Sequence, residues 1–176
     1  MRFTKMQAYG NDYVYIDAIN QKLNNLNELA RFVSDRHFGI GSDGMVLICP
    51  SELADFKMRI FNPDGTEAEM CGNAIRSVGK YVYDHKLTDK TTLKIETLGG
   101  IKTLELEVTD GKVSNIRANI SKPIFNSEKI PVNTKKDKFI LEEVKILDQT
   151  FKLSSLSWGN PHTVLFVDDV MNFDVA

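Results

Sequence analysis

At 176 residues, with 42% hydrophobic and 26% charged side chains, the chain can form one sizeable domain or two small ones and needs no cross-links to hold a core. A net charge of −2 offers nucleic acid no basic face, and no apolar run approaches the roughly 20 residues that cross a bilayer. Two cysteines and three scattered histidines, His37, His85 and His162, supply neither a disulfide scaffold nor a metal-ligand spacing, so no metal is expected. The opening "MRFTKMQAYG" lacks the apolar core of a secretory signal, which makes the cytoplasm the expected compartment.

In chain order, "LNELARFVSD" places Leu26, Leu29, Ala30 and Val33 on one face and predicts a helix. Cys49 follows in the apolar run "MVLICP", where an inert buried thiol is the better reading. "DFKMRIF" alternates, with Phe56, Met58 and Ile60 on one side of a strand. "NPDG" at 62–65 reads as a tight turn, because proline presets one dihedral and glycine accepts positive φ. "NAIRSVGKYVYDH" predicts a second helix with Ile75, Val78 and Val82 inward. "TTLKIET", "KTLELEV" and "KFILEEVKI" again have the period of two, with turns at Gly99–Gly100 and at "TDGK", 109–112. Strands therefore dominate around two helices. Residues 119–138 are polar and hold Pro123 and Pro131, so a boundary is expected near or just before them. The reading is a first domain over 1–114 and a second unit over 115–176. The tail stops after a strand-like run, so the second unit is expected to be incomplete; a short carboxyl-terminal appendage is the alternative.

The chemistry centres on "EAEMCGNAIR", 67–76, where Cys71 stands at the mouth of the second helix. Helix amino termini leave N–H groups unpaired and concentrate positive potential, which favours a thiolate and can also seat a carboxylate. Gly72 permits close backbone approach and Asn73 adds an amide, so an anion could dock beside the sulfur. Two uses of the thiol stay open beside a purely packing role. A nucleophilic enzyme would use His162 of "WGNPHT" as base; a proton-transfer enzyme would use the thiolate at carbon with the substrate carboxylate on the helix amides. The anion seat favours proton transfer. His162 reads equally well as a loop histidine with local hydrogen bonds.

Four stretches, "FTKMQAYGNDYVYID" (3–17), "RHFGIGSDGMVL" (36–47), "FNPDGTEAEMCGNAIRSVGKY" (61–81) and "WGNPHTVLFVDD" (158–169), together resemble the diaminopimelate epimerase family. The resemblance implies an α+β fold of two related domains, each with strands wrapped around a central helix. It implies a cofactor-independent isomerase, without pyridoxal phosphate, that inverts one α-carbon of LL-diaminopimelate to the meso form on the route to lysine and peptidoglycan precursors. Two thiols serve as acid and base on opposite faces of that carbon. Carried over by motif, Cys71 is the first catalytic thiol, and the backbone of Gly72 and Asn73 binds the α-carboxylate. Asn11, Asn62 and Asn160 match substrate-binding positions, and His162 matches a histidine that tunes the thiols' ionisation. Each asparagine also reads as a turn residue. A homodimer and a small-molecule substrate, without nucleic acid or membrane, complete the expectation.

Two departures stand out. Gly44 occupies a position where relatives carry a substrate-contacting glutamine, and the family's second Cys-Gly-Thr helix start occurs nowhere in the sequence. Cys49 lacks that context. The chain is therefore expected to be an amino-terminal portion that is inactive alone. A same-fold isomerase of another small acid and a non-catalytic half-module are the competing readings.

Overall fold

The structure, a computed structural model, describes residues 1–173. The chain divides into two compact units, Met1–Ile120 and the residues from Ser121 onward. In the first unit, strands β1 (Thr4–Ala8) and β2 (Asn11–Asp17) form a hairpin, helix α1 (Leu26–Ser34) leads to β3 (Met45–Cys49), and β4 (Phe56–Phe61) and the short β5 (Glu67–Ala68) precede helix α2 (Gly72–Asp84). Strands β6 (Thr92–Glu96), β7 (Lys102–Thr109) and β8 (Lys112–Asn119) follow. The first unit thus keeps all of β8, and the boundary expected at 114/115 lies inside that strand.

All eight strands belong to one sheet of order β1-β2-β3-β4-β6-β7-β8, with β5 hydrogen-bonded to β4. Two neighbouring pairs are parallel, β2 with β3 and β4 with β6. A parallel pair requires a crossover, and each of these encloses a helix in sequence: α1 in the first and α2 in the second. The hairpin turns obey local rules. Tyr9 and Gly10 (φ 56° and 82°) join β1 to β2, and Asp110 and Gly111 (φ 52° and 74°) join β7 to β8, both central residues left-handed as tight hairpins prefer.

The sheet covers α2 with one face and α1 with the other. Ile75, Val78 and Val82 of α2 are fully buried against Tyr13, Tyr15, Val46, Ile48, Met58, Ile60, Leu93, Ile95 and Leu104. On the opposite side, Ala30 and Val33 of α1 pack on Val14, Ile16, Met45 and Leu47, with Leu26 and Leu29 partly covered. Strands β2 and β3 are therefore buried on both faces, and successive residues serve different cores. A Cβ on Gly79 would lie 2.8 Å from Leu104 Cδ1 and 3.2 Å from Leu106 Cδ2, so this glycine lets α2 sit close on β7. Its cost as a helix-interior glycine is about 1 kcal/mol.

The second unit carries β9 (Glu142–Ile146), β10 (Gln149–Ser157) and β11 (Pro161–Leu165) as an antiparallel sheet of order β11-β10-β9. Isolated bridges pair Ile124 with Ser157 and Asn126 with Lys138. The strand read across "KFILEEVKI" starts only at Glu142. Leu141 is left-handed (φ 50°) and its N–H goes to the Ser154 hydroxyl (3.0 Å), which breaks the ladder before it. Among the described residues no helix is long and apolar enough to cross a membrane.

Candidate active site

Residue parity on β2 sets up the site. Tyr13 and Tyr15 share the α2-side core, and Asn11, two residues before Tyr13, reaches the same side at the strand's open end. Cys71 meets them from the helix. Its backbone (φ −139°, ψ 120°) has the extended N-cap conformation, where a Ser, Asp or Asn side chain would ordinarily accept from the first helical N–H groups. The Cys71 side chain makes no such bond. The sulfur turns instead to β2: Sγ lies 3.6 Å from Asn11 Oδ1 and 3.9 Å from the Tyr13 hydroxyl. The first i to i−4 bond of α2 runs from Ile75 N to Cys71 O (3.0 Å), so the N–H groups of Gly72, Asn73 and Ala74 precede the helical ladder. Their dipoles direct positive potential toward any anion beside the sulfur.

Asn11 is itself held from behind. Its Nδ2 donates to Asp43 Oδ2 (2.8 Å), which also accepts from Asp12 N (3.0 Å). The Asp43 N–H donates to Asp12 O (2.8 Å). Arg36 Nη2 spans both acids, 2.8 Å from Asp12 Oδ1 and 2.8 Å from Asp43 Oδ1, and Lys5 Nζ lies 3.0 Å from Asp12 Oδ2. Hydrogen bonding from Arg36, reinforced by Lys5, holds the Asp12 carboxyl well below the usual carboxylate range. Burial pushes the Tyr13 hydroxyl well above its ordinary value, and the neighbouring Cys71 pushes it the same way. Tyr15 is raised too, mainly by burial, with a hydrogen bond from Ser77 opposing. Both phenols thus stay protonated, and Tyr13 presents an O–H donor to the sulfur.

Gly44 borders this group. A Cβ there would come 2.3 Å from Phe61 O and 2.8 Å from the Tyr13 ring, at a φ of 153° that side chains rarely adopt. Its carbonyl accepts from Val14 N (3.0 Å) and from the Ser42 hydroxyl (2.8 Å). No glutamine fits this backbone without moving Tyr13 or β4.

The family model for diaminopimelate epimerase matches residues 3–124, the whole stretch that builds the Cys71 environment. The chain belongs to the diaminopimelate epimerase family. It is 57% identical over 173 residues to a diaminopimelate epimerase of Methanococcus maripaludis, covering 98% of this chain and 62% of that protein. It is 56% identical over 170 residues to one from Acetivibrio thermocellus, covering 97% of this chain and 61% of the relative. The chain thus spans less than two thirds of the length of these curated relatives. Among solved structures, a hydroxyproline epimerase from Agrobacterium vitis aligns with a TM-score of 0.70 at 13% identity, over 93% of this chain and 50% of that one. That likeness shows the fold, the strand-wrapped helix that the family resemblance implies.

Of the residues carried over from the epimerase family, Asn11, Cys71, Gly72 and Asn73 gather at the amino end of α2. Asn62 begins the turn after β4, where its N–H bonds Thr66 O (2.8 Å) and its amide bonds the Thr66 hydroxyl (3.0 Å). Asn160 and His162 belong to the second unit. Asn160 is exposed in the loop joining β10 to β11 and accepts from Trp158 N (3.2 Å), while His162 is exposed on β11 opposite Leu156. Tyr13, Arg36 and Asp43 join the site without a motif that marks them. Tyr13 was accessible in principle, because strand parity from Asn11 places it on the same face; Arg36 and Asp43 gave no local signal, since their roles depend on strand β2 arriving beside the loop before β3.

Proposed function

We propose that Cys71 is one of two acid/base thiols in a pyridoxal-independent epimerase that converts LL-diaminopimelate to the meso form. The observation that carries this reading is the N-cap cysteine whose sulfur leaves the helix N–H groups uncapped and turns to Asn11 and Tyr13. An α-hydrogen beside a carboxylate is far less acidic than a thiol, so the site must quieten the carboxylate while bringing a base to one face. The Gly72 and Asn73 amides serve the first task, and the Cys71 thiolate serves the second by taking the proton from the α-carbon. Inversion needs a proton delivered to the opposite face, because one base returning its own proton restores the starting configuration. No second Cys-Gly-Thr occurs among the 176 residues, so the proposal concerns the full-length protein, with the opposing acid supplied from outside them. These residues alone should not epimerise.

On the same reading, Asn11, Asn62 and Asn160 bind substrate, and His162 adjusts the thiols once the site is assembled. Amide side chains both donate and accept, which suits a ligand bearing two ammonium and two carboxylate groups. The enzyme is proposed to be a cytoplasmic homodimer in lysine biosynthesis, where a reducing compartment keeps Cys71 a free thiol. The test is isotope exchange: the full-length gene product, given LL-diaminopimelate in deuterium oxide, should place deuterium at the α-carbon of the meso product. A folded, reduced protein that shows no such exchange overturns the reading.

A further inference from the structure

We propose that Asp43 is a positioning residue that fixes which end of the Asn11 amide faces Cys71. A carboxylate can only accept hydrogen bonds. Because Asp43 Oδ2 takes the Asn11 Nδ2–H (2.8 Å), the amide must turn its carbonyl oxygen to the sulfur, which Oδ1 meets at 3.6 Å. That oxygen accepts from a protonated thiol and opposes a thiolate. The Asp43 carboxylate cannot easily swing away, since Arg36 holds Oδ1 at 2.8 Å and Asp12 N–H holds Oδ2 at 3.0 Å. The chain Arg36, Asp43, Asn11 thus biases Cys71 toward the proton-bearing form, the form that the base of the LL-to-meso direction takes when the reaction runs from meso back to LL. The importance of this bias rests on the acid/base reading above, but its physical content does not.

Other groups facing the sulfur act in both protonation states and set the baseline. The Tyr13 hydroxyl donates from β2 (3.9 Å), Tyr15 lies beyond it on the same strand, and α2 presents its amide end. Arg76 is turned back to Gly72 O (3.0 Å).

The test is the pH midpoint for alkylation of Cys71 by iodoacetamide in the 176-residue chain carrying Cys49→Ala, which leaves a single thiol. Asn11→Ala should lower that midpoint by about half to one pH unit, the equivalent of one lost hydrogen bond. A raised or unchanged midpoint means the amide does not present its oxygen, and overturns the proposal. Asp43→Asn can donate to Asn11 and so lets the amide reverse, so it too should lower the midpoint. In the Asn11→Ala background it should change nothing. A shift that persists there is the direct field of the lost charge and refutes the positioning role, as does no shift in either background. If Asp43→Asn fails to fold by circular dichroism, the sign of the Asn11→Ala shift still decides. No diaminopimelate enters this experiment, so its failure is separable from failure of the isotope exchange.

Discussion

The two cysteines occupy environments that differ in almost everything except exposure. Cys49 closes β3 on the α1 side, packed with the Val14, Ile16 and Leu47 cluster, and burial pushes its thiol upward while Arg59 and Lys57 only partly oppose. Cys71 has the same side chain and is also half-buried, but it caps a helix and meets an amide and a phenol carried by another strand. What separates them is long-range: the β1–β2 hairpin delivers polar groups to one sulfur and none to the other. The sharpest way to break the comparison is to remove each thiol in turn from the full-length protein. On the proposed acid/base role, Cys71→Ala should lower kcat for diaminopimelate by about a hundredfold to ten-thousandfold, the usual range for a lost acid/base group. Cys49→Ala should leave kcat and KM near the unmodified values, and equal losses from both would erase the distinction.

Gly44 links the two environments, since it leads into β3 and abuts the Tyr13 ring. Gly44→Ala combines a φ of 153° with a Cβ 2.3 Å from Phe61 O, and neither the strand backbone nor the ring can yield cheaply. We expect a loss of about 3 kcal/mol in urea denaturation, in the range of strained-backbone and overpacking substitutions. The variant should also slow Cys71 chemistry by displacing Tyr13, whereas Cys49 alkylation should change little. A stability within about 0.5 kcal/mol of the unmodified chain would show that β4 moves freely here.

These contrasts show which parts of the molecule could be read from the chain. Strands with one less-covered side announced themselves: Phe56, Met58 and Ile60 on β4, Leu93 and Ile95 on β6, and Leu104 and Leu106 on β7 alternate because one face packs on α2 while the other is exposed or only partly covered, apart from Phe61, which ends β4 in the α1-side core. Strands β2 and β3 did not alternate, because Val14 and Met45 serve one core while Tyr15 and Val46 serve the other. A strand covered on both faces loses the period of two and reads as an unbroken apolar run. The helix at Cys71 was legible from its own residues, and Gly72 and Asn73 came with it. Asp43 was not, because a carboxylate 32 positions from its amide partner leaves no trace in either local pattern. Leu141 shows the opposite failure: the alternation in "KFILEEVKI" continues through a residue whose left-handed backbone ends the strand.

A smaller effect separates the thiols by stability instead of activity. With its folded-state ionisation raised, Cys49 keeps its proton at a pH where the unfolded chain, titrating near the ordinary thiol value of about 8.5, has released it. The unfolded state then binds fewer protons than the folded one, so stability is complete below about pH 8.5 and declines as pH rises through the folded value. The unmodified chain should therefore lose more stability between pH 7 and pH 10 than Cys49→Ala does, as read from urea midpoints. Identical losses would mean that the alkaline side is governed by other groups.

The smallest effect belongs to the charges behind Cys71, whose counterparts near Cys49 are the Arg59–Glu67 and Lys57–Glu96 pairs. Asp12 is paired with Arg36 and Lys5, and its depressed ionisation means that the folded chain stays charged where the unfolded chain has taken up a proton. Its contribution is present above the ordinary carboxylate value of about 3.9 and is lost as pH falls from there through the folded value. Asp12→Asn should thus cost less than about 1 kcal/mol at pH 7, because Arg36 and Lys5 are well exposed and solvent screens the pair. The decisive measurement is the slope of stability against pH below about 4, which should be shallower in Asp12→Asn than in the unmodified chain. Added salt should narrow the gap at pH 7, since screening weakens an exposed pair and leaves packing untouched. A gap that salt does not change would assign the cost to the Asp12 hydrogen bonds alone and remove Arg36 from the support of the Cys71 site.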